Sequence, residues 1–394
     1  MNLKLIFISL GLLLTELLTA QDQTTELSLK QVIEIARMES PDAQTARHSF
    51  RSAYWNYKYY RANYLPSLSL TSDPNLNRAI NKITMGDGSV KFVEQNLLNT
   101  DLTLNLSQNL SWTGGSFFLE TSAQRMDLFS EHKYSWQTSP IMIGYRQSLF
   151  GYNSLKWDRR IEPVRYQEAK KSYVETLELV SANAINKFFA LATAQSDYDI
   201  ASFNYANADT LYRYAQGRYN IGTITENEML QLELNRLTEE TNRMNALIEM
   251  DNCMQELRSY LGIQEEREIR VRVSSRIPDF SINLNEALAL AYENSPDIQT
   301  MKRRKLESES AVARARANAG LKADIYLRFG LTQTADKLPE AYRNLLDQQY
   351  VSLSISLPIL DWGRGKGQVR VARSNRDLVY TQVEQNRTDF ELNV

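Results

Sequence analysis

Apolar and polar residues alternate with a period of two in two distant parts of the chain. Leu102, Leu104, Leu106, Leu110 and Trp112 share one face, with Asp101, Thr103, Asn105, Ser107, Asn109 and Ser111 on the other. Ser67-Leu68-Ser69-Leu70 alternates after Pro66, and Ile141, Ile143, Tyr145 and Leu149 resume the pattern beyond a Thr113-Gly114-Gly115 turn. Far along, Ile325, Leu327, Phe329 and Leu331 alternate. Val351, Leu353, Ile355, Leu357 and Ile359 then do so strictly against Ser352, Ser354 and Ser356. This periodicity predicts strands with one apolar and one polar face.

Between these groups the period changes to that of helices. From Pro163, a good first helical residue, a helix is expected to about Tyr219, roughly 80 Å at 1.5 Å per residue. A turn at Ile221-Gly222-Thr223 leads into a second helix reaching Leu261. Its stripe of Leu230, Leu234, Leu237, Met244, Leu247, Met250, Met254, Leu257 and Leu261 steps by three and four, with one shortened step near residue 247, as in a coiled-coil seam.

The architecture is duplicated. Leu27–Gln44 (LSLKQVIEIARMESPDAQ) and Ile282–Gln299 (INLNEALALAYENSPDIQ) lie 255 residues apart, and Arg61-Ala62-Asn63 falls opposite Arg316-Ala317-Asn318 in the same phase. Residues 21–281 form a first repeat of helix, strands and long helical hairpin; 282–394 form a second, incomplete at its end. The preceding Met1–Ala20 has Lys4, an apolar run from Leu5 to Leu14 and small residues Thr19 and Ala20. That is the plan of a secretory signal cleaved before Gln21; the alternative, a membrane anchor, meets a run too short to span and interrupted by Glu16.

Strands of about ten residues suit a tilted crossing of a bilayer, where no sheet edge can stay unpaired. The four best strands cannot close a barrel alone, so several chains must share one; three chains of four would give twelve. A soluble sandwich would alternate too, but some 200 mostly helical residues separate the two strand groups. Trp112, Trp136, Trp157, Trp362 and the cluster Tyr54, Trp55, Tyr57, Tyr59, Tyr60 and Tyr64 flank strands, as interfacial aromatics do. Packing at a helix–sheet junction is the competing explanation for the tyrosines.

Composition narrows the chemistry. Forty-five basic and forty-seven acidic residues leave a net charge of −2, no general attraction for nucleic acid. One cysteine, Cys253, and two histidines, His48 and His132, leave no thiolate metal site and little for acid–base catalysis. A secreted hydrolase is disfavoured by the absence of any nucleophile motif. Gly363-Arg364-Gly365-Lys366-Gly367 lacks the spacing of a phosphate loop and reads as a strand-to-helix bend.

The paired openings, the passages Gln147-Ser148-Leu149-Phe150 and Leu357-Pro358-Ile359-Leu360-Asp361-Trp362-Gly363-Arg364, and the tip Arg218-Tyr219-Asn220-Ile221-Gly222-Thr223-Ile224-Thr225 resemble the TolC family of trimeric outer-membrane efflux channels. The resemblance covers essentially all of the chain past residue 20. It implies an α+β membrane protein: long antiparallel coiled-coil helices forming a periplasmic tunnel, with four or more strands per chain in a trimeric, twelve-stranded transmembrane barrel. It further implies a passive conduit of tripartite efflux or type I secretion, with no cofactor, no metal and no catalysis. The implied partners are a periplasmic adaptor (membrane fusion) protein, an inner-membrane pump and outer-membrane lipid. The alternative is a periplasmic coiled-coil scaffold or adaptor without a conducting barrel, which the strict Val351–Ile359 alternation opposes.

Two departures stand out. Residues 100–130 are longer than the simplest members require and suggest an extra hairpin. The two strand-to-helix passages are 208 residues apart, so roughly 95 residues with a second tip are expected beyond Val394. By the same resemblance Gly222, Glu226 and Glu228 mark the periplasmic tip or gate, where carboxylates could favour cations, although an acidic first helical turn explains them as well. Leu102, Leu104, Leu106, Val351, Leu353, Ile355 and Leu357 are the lipid-facing candidates. His48, beside Arg47 and Arg51, is read as solvated and Cys253 as buried and inert.

Overall fold

The structure, a computed structural model, describes residues 25–264, 268–274 and 281–394; the expected signal segment and its cleavage point lie outside the described residues. The first elements are β1 Thr25–Ser28, α1 Leu29–Glu39, α2 Pro41–Ala62, β2 Ser67–Ser72, β3 Asn75–Thr84 and β4 Val90–Asn109. Next come β5 Ser116–Leu128, β6 Lys133–Ser148, α3 Ser154–Asn220, α4 Glu226–Leu261 and β7 Ile269–Arg272. The last are α5 Leu284–Asn294, α6 Pro296–Ala319, β8 Lys322–Ala335, β9 Leu346–Ser356 and α7 Arg364–Asn393.

The duplication is visible element by element. α1 and α5 each have 11 residues and each ends at a serine followed by proline, where a new helix starts. Proline is welcome at a first helical position and forbids the incoming helix from running on. The serines cap the second helix of each pair: Ala43 N–H donates to Ser40 Oγ, and Asp297 N–H to Ser295 Oγ, both at 3.1 Å. The openings therefore form two helices apiece rather than one.

Two compact units emerge, Met1–Arg51 with Lys170–Leu284, and Ser52–Ala169 with Asn285–Val394. In the former, Phe188, Leu191, Leu257 and Leu261 form a fully buried core with Val32 and Ala36, bordered by the parallel pair β1–β7. Only the Leu257 and Leu261 end of the expected α4 stripe is buried; Leu230, Leu234, Leu237 and Met244 stay exposed. Cys253 is half-buried against this core, and burial pushes its thiol up from the ordinary range, so it stays protonated.

The latter unit contains a seven-stranded sheet in the order β2-β4-β5-β6-β8-β9, with β3 also on β4. Every pairing in it is antiparallel. A hairpin, β4–β5, does occupy the 100–130 stretch, although its first strand starts earlier, at Val90. Several expectations need correction. Pro163 lies inside α3, which starts nine residues earlier where Lys156 N–H donates to Asn153 Oδ1 at 2.9 Å; the proline removes one helical hydrogen bond. Leu110 and Trp112 belong to the turn after β4, where Gly114 adopts a φ of +80°. Leu357 and Ile359 fall beyond β9, because Pro358 has no N–H to give a ladder.

Candidate functional site

The sheet segregates its two faces. One row runs in register across five strands: Leu68, Leu106, Leu119, Ile143 and Phe329. All five are exposed, at 39% or more. A parallel row holds Phe117, Tyr145, Leu327 and Val351. An apolar face of this extent, left uncovered, is what a lipid-facing wall presents and a water-facing one avoids. The lipid-facing candidates Leu102, Leu104 and Leu106 of β4, and Val351, Leu353 and Ile355 of β9, all lie on this face; Leu357 is exposed past the strand end.

The opposite face is polar where it crosses β2, β4 and β9. Ser67 and Ser107 pair through their hydroxyls at 2.8 Å, and Ser352 and Ser354 lie on the same face in β9. It also carries a cluster that reading the sequence missed. The Phe118 ring occupies the space that a Cβ at Gly144 would fill, so only glycine fits there. Phe118 stacks on Tyr326 with centroids 5.8 Å apart, Tyr326 meets Tyr350 at 5.7 Å, and the Arg146 guanidinium lies 5.5 Å from the Tyr326 centroid. The signal was available in the even positions 116–128, but Phe117-Phe118-Leu119 breaks the alternation and hides it.

Aromatic residues gather at both ends of the strands. Towards one end Arg125 lies 5.0 Å from the Tyr134 centroid and 5.6 Å from that of Trp136, with Asp127 2.6 Å away. At the other, Tyr57 stacks on Tyr166 at 4.5 Å and Tyr64 O–H donates to the Leu155 carbonyl at 2.8 Å. The tyrosine cluster thus packs α2 on α3, while Trp55 and Tyr59 point to solvent.

The helices leaving the sheet are clamped by charge. Arg303 of α6 grips Glu168 of α3 with two nitrogens, at 2.5 and 3.0 Å, and reaches Glu307 at 2.9 Å. Glu168 and Glu307 raise the Arg303 pKa still further, so this cation is permanent. Nearby, burial lifts the carboxyls of Asp158 and Glu162 above the usual carboxylate range, against the opposing pull of Arg165.

Asp361 settles the glycine-rich passage. Its carboxylate accepts from the Gly363 N–H at 2.9 Å and the Gly365 N–H at 2.8 Å, which holds its pKa below the ordinary range. The first amides of α7 are therefore occupied by the chain's own carboxylate. Trp362 beside it has a φ of +55° and is 90% exposed.

The tip between α3 and α4 is a tight turn at Gly222, φ +73°. Thr225 caps α4: Glu228 N–H donates to Thr225 Oγ1 at 3.3 Å, and Glu228 Oε2 accepts from the Thr225 N–H at 2.9 Å. This reciprocal box pulls the Glu228 carboxyl below its usual pKa, the backbone bond being the larger cause. Gly222, Glu226 and Glu228 are thus brought together, with Glu228 serving the helix start and Glu226 exposed.

Among the described residues no cluster of histidine, cysteine and carboxylates could hold a metal ion, and no helix is long and apolar enough to cross a membrane.

A family model described as outer membrane efflux protein matches residues 32–263. No curated protein matches the sequence significantly. Among solved structures, the Campylobacter jejuni CmeC outer membrane channel is similar with a TM-score of 0.65 and 16% identity, over 92% of this chain and 68% of that one. The outer membrane protein VceC of Vibrio cholerae gives 0.60 and 14%, over 92% and 75%. The open-state MtrE outer membrane channel of Neisseria gonorrhoeae gives 0.58 and 14%, over 91% and 69%.

Proposed function

This chain belongs to the outer membrane efflux protein family, and from that premise we propose that three copies close their sheets edge to edge into one transmembrane barrel. The protein is an efflux channel of the outer membrane with helices in the periplasm, a conduit rather than an enzyme, working in a tripartite system with an adaptor and a pump. The apolar face meets lipid, the polar face lines a water-filled lumen, and the pump supplies the energy. Met1–Ala20 directs export. Gly222, Glu226 and Glu228 form the periplasmic tip, where Glu226 carries the free charge.

The observation that carries the barrel reading is the uncovered five-strand apolar row with a polar face behind it. Sheet edges point to how copies meet. Among the described residues β2 pairs only with β4 and β9 only with β8. Inside the chain, β6 of the first repeat pairs with β8 of the second, and Tyr152, just past β6, bonds the Ser310 hydroxyl while the Arg314 guanidinium lies 4.7 Å from the Tyr152 ring centroid. α3 and α7 start 210 residues apart, and β2 and β8 start 255 apart. Carried through the repeat, Tyr152 becomes Trp362, while Ser310 and Arg314 become Trp55 and Tyr59. All three are exposed aromatics, at 90%, 63% and 72%. The same transfer sets Ser356 opposite Thr71 of the next copy and keeps both on the polar face.

The test is a Thr71→Cys, Ser356→Cys double variant in a Cys253→Ser background. Outer membranes oxidised and run without reductant should give dimers and trimers, and Trp362→Ser should weaken the trimer. Monomers alone, recovered without detergent, would instead support a periplasmic scaffold.

A further inference from the structure

The two repeats do not contribute equally to the sheet. Their first strands start 255 residues apart but the helices after the strands start only 210 apart, so the first repeat carries 45 additional residues between β2 and α3. The second repeat delivers two columns, β8 and β9. The first delivers four, since β2 and β3 pair with successive stretches of the same strand, Leu102–Ser107 and Val90–Asn99 of β4, and count as one column beside β4, β5 and β6.

We propose that the added hairpin β4–β5 is built into the membrane wall, so that three copies of six columns enclose an eighteen-column lumen. A duplicated two-column unit without it would give twelve. This inference rests on the closure by three copies proposed above and adds the size of what they enclose.

Three observations carry it. First, the lipid-type face crosses the hairpin without a break: Leu104 and Leu106 stand opposite Leu70 and Leu68 on one side, and Leu119 stands between Leu106 and Ile143 on the other. A hairpin projecting into water would have no use for that row. Second, β2 and β6 are not neighbours; β4 and β5 fill the gap, and their ladders run 13 residue pairs between β4 and β5. Third, the hairpin's inner turn is fastened to both helix junctions. Asn109 Nδ2 donates to the Asn63 carbonyl and Gln108 Nε2 to that of Tyr64, both at 3.0 Å. From the other side Asn153 Nδ2 donates to the Ser111 carbonyl at 3.1 Å and Gln147 Nε2 to that of Thr113 at 2.9 Å. The turn is held level with the wall's own base.

The consequence is dimensional. With strands ~4.8 Å apart and tilted ~40°, eighteen columns give a backbone diameter of ~36 Å, against ~24 Å for twelve.

The test uses the full chain extracted from the outer membrane. End-on averages of single particles should show a wall of ~36 Å. In vesicles, nitroxide labels on Leu104→Cys and Leu119→Cys, each with Cys253→Ser, should relax with dissolved oxygen and resist a water-soluble nickel chelate as much as a label on Leu353→Cys. A trimer with a ~24 Å wall, or chelate-accessible Leu104 and Leu119 beside a lipid-shielded Leu353, overturns the eighteen-column wall and leaves the channel intact. Chelate access at all three positions with no trimer overturns the channel reading itself.

Discussion

Leu353→Arg and Ser354→Arg separate a membrane wall from any soluble sheet. Both residues lie in β9, one position apart, opposite Ile325 and Asp324 of β8 respectively. Leu353 sits midway along the apolar run Val351–Ile355 and is 57% exposed, so its side chain is not packed within the chain. In water, an arginine there would cost almost nothing, since surface substitutions stay within about 0.5 kcal/mol. Facing lipid near mid-membrane, it should cost about 2–4 kcal/mol. At 1.4 kcal/mol per decade that is roughly a 25- to 700-fold loss in the folding equilibrium. Ser354→Arg falls on the polar face, the proposed lumen side, and should leave assembly within a few-fold of the original. The assay is urea-dependent folding into lipid vesicles, read as heat-resistant trimer. Equal loss in both variants, or no loss in either, refutes the assignment of faces.

Other substitutions probe the remaining parts. Gly144→Ala should cost about 1–3 kcal/mol because the Phe118 ring fills the site, and Phe118→Ala in the same chain should recover part of it in the same folding assay. Arg303→Lys keeps the charge but loses the two-pronged grip on Glu168, and thermal unfolding should report a loss of about 1–3 kcal/mol. At the tip, Thr225→Ala removes the cap of α4 at about 0.5–2 kcal/mol, whereas Glu226→Gln should leave stability unchanged and reduce cation preference in single-channel recordings. Asp158 and Glu162 have raised pKa values from burial, so the folded state binds their protons more tightly than the unfolded chain. Their contribution to stability therefore grows as pH falls towards the carboxylate range and is lost on raising it. Glu162→Gln should flatten that slope in melts taken as a pH series running upward from the ordinary carboxylate range.

Much of the fold was legible because it repeats. The Ser-Pro pairs at 40–41 and 295–296 fix helix starts by proline geometry alone, and the strict alternation from Val351 marks β9 as a strand. What escaped had mixed signals. β3, Asn75–Thr84, is rich in asparagine and flanked by no apolar run. In β5, Phe117 and Phe118 are successive residues on opposite faces, one on the uncovered apolar face and the other covering Gly144, so a two-period count fails there. Pro358 ended β9 earlier than alternation suggested, since a side-chain pattern does not register a missing N–H. At the tip, spacing alone left Glu226 and Glu228 equivalent; only the capping box distinguished the residue tied to the helix from the one free to meet solute.

The uneven repeat has a geometric logic. Neighbouring strands are antiparallel, so each added column reverses the direction of the chain. α2 delivers the chain to β2 at the same end of the sheet from which β6 must hand it to α3, because Tyr64 at the entrance bonds Leu155 at the exit. One extra strand would leave that exit at the opposite end of the sheet and break the Tyr64 contact. Two restore it, and the Leu68-Leu106-Leu119-Ile143 row runs unbroken across the inserted pair. The smallest insertion that widens such a wall without moving its helices is therefore one hairpin with its turn on the helix side. The Leu110–Gly115 turn, bonded to Asn63 and Tyr64 through β4 and to Asn153 from α3's cap, has that form. Growth in the second repeat would have to meet the same condition at Gly320 and Asp361, where β8 and β9 leave only a two-column path.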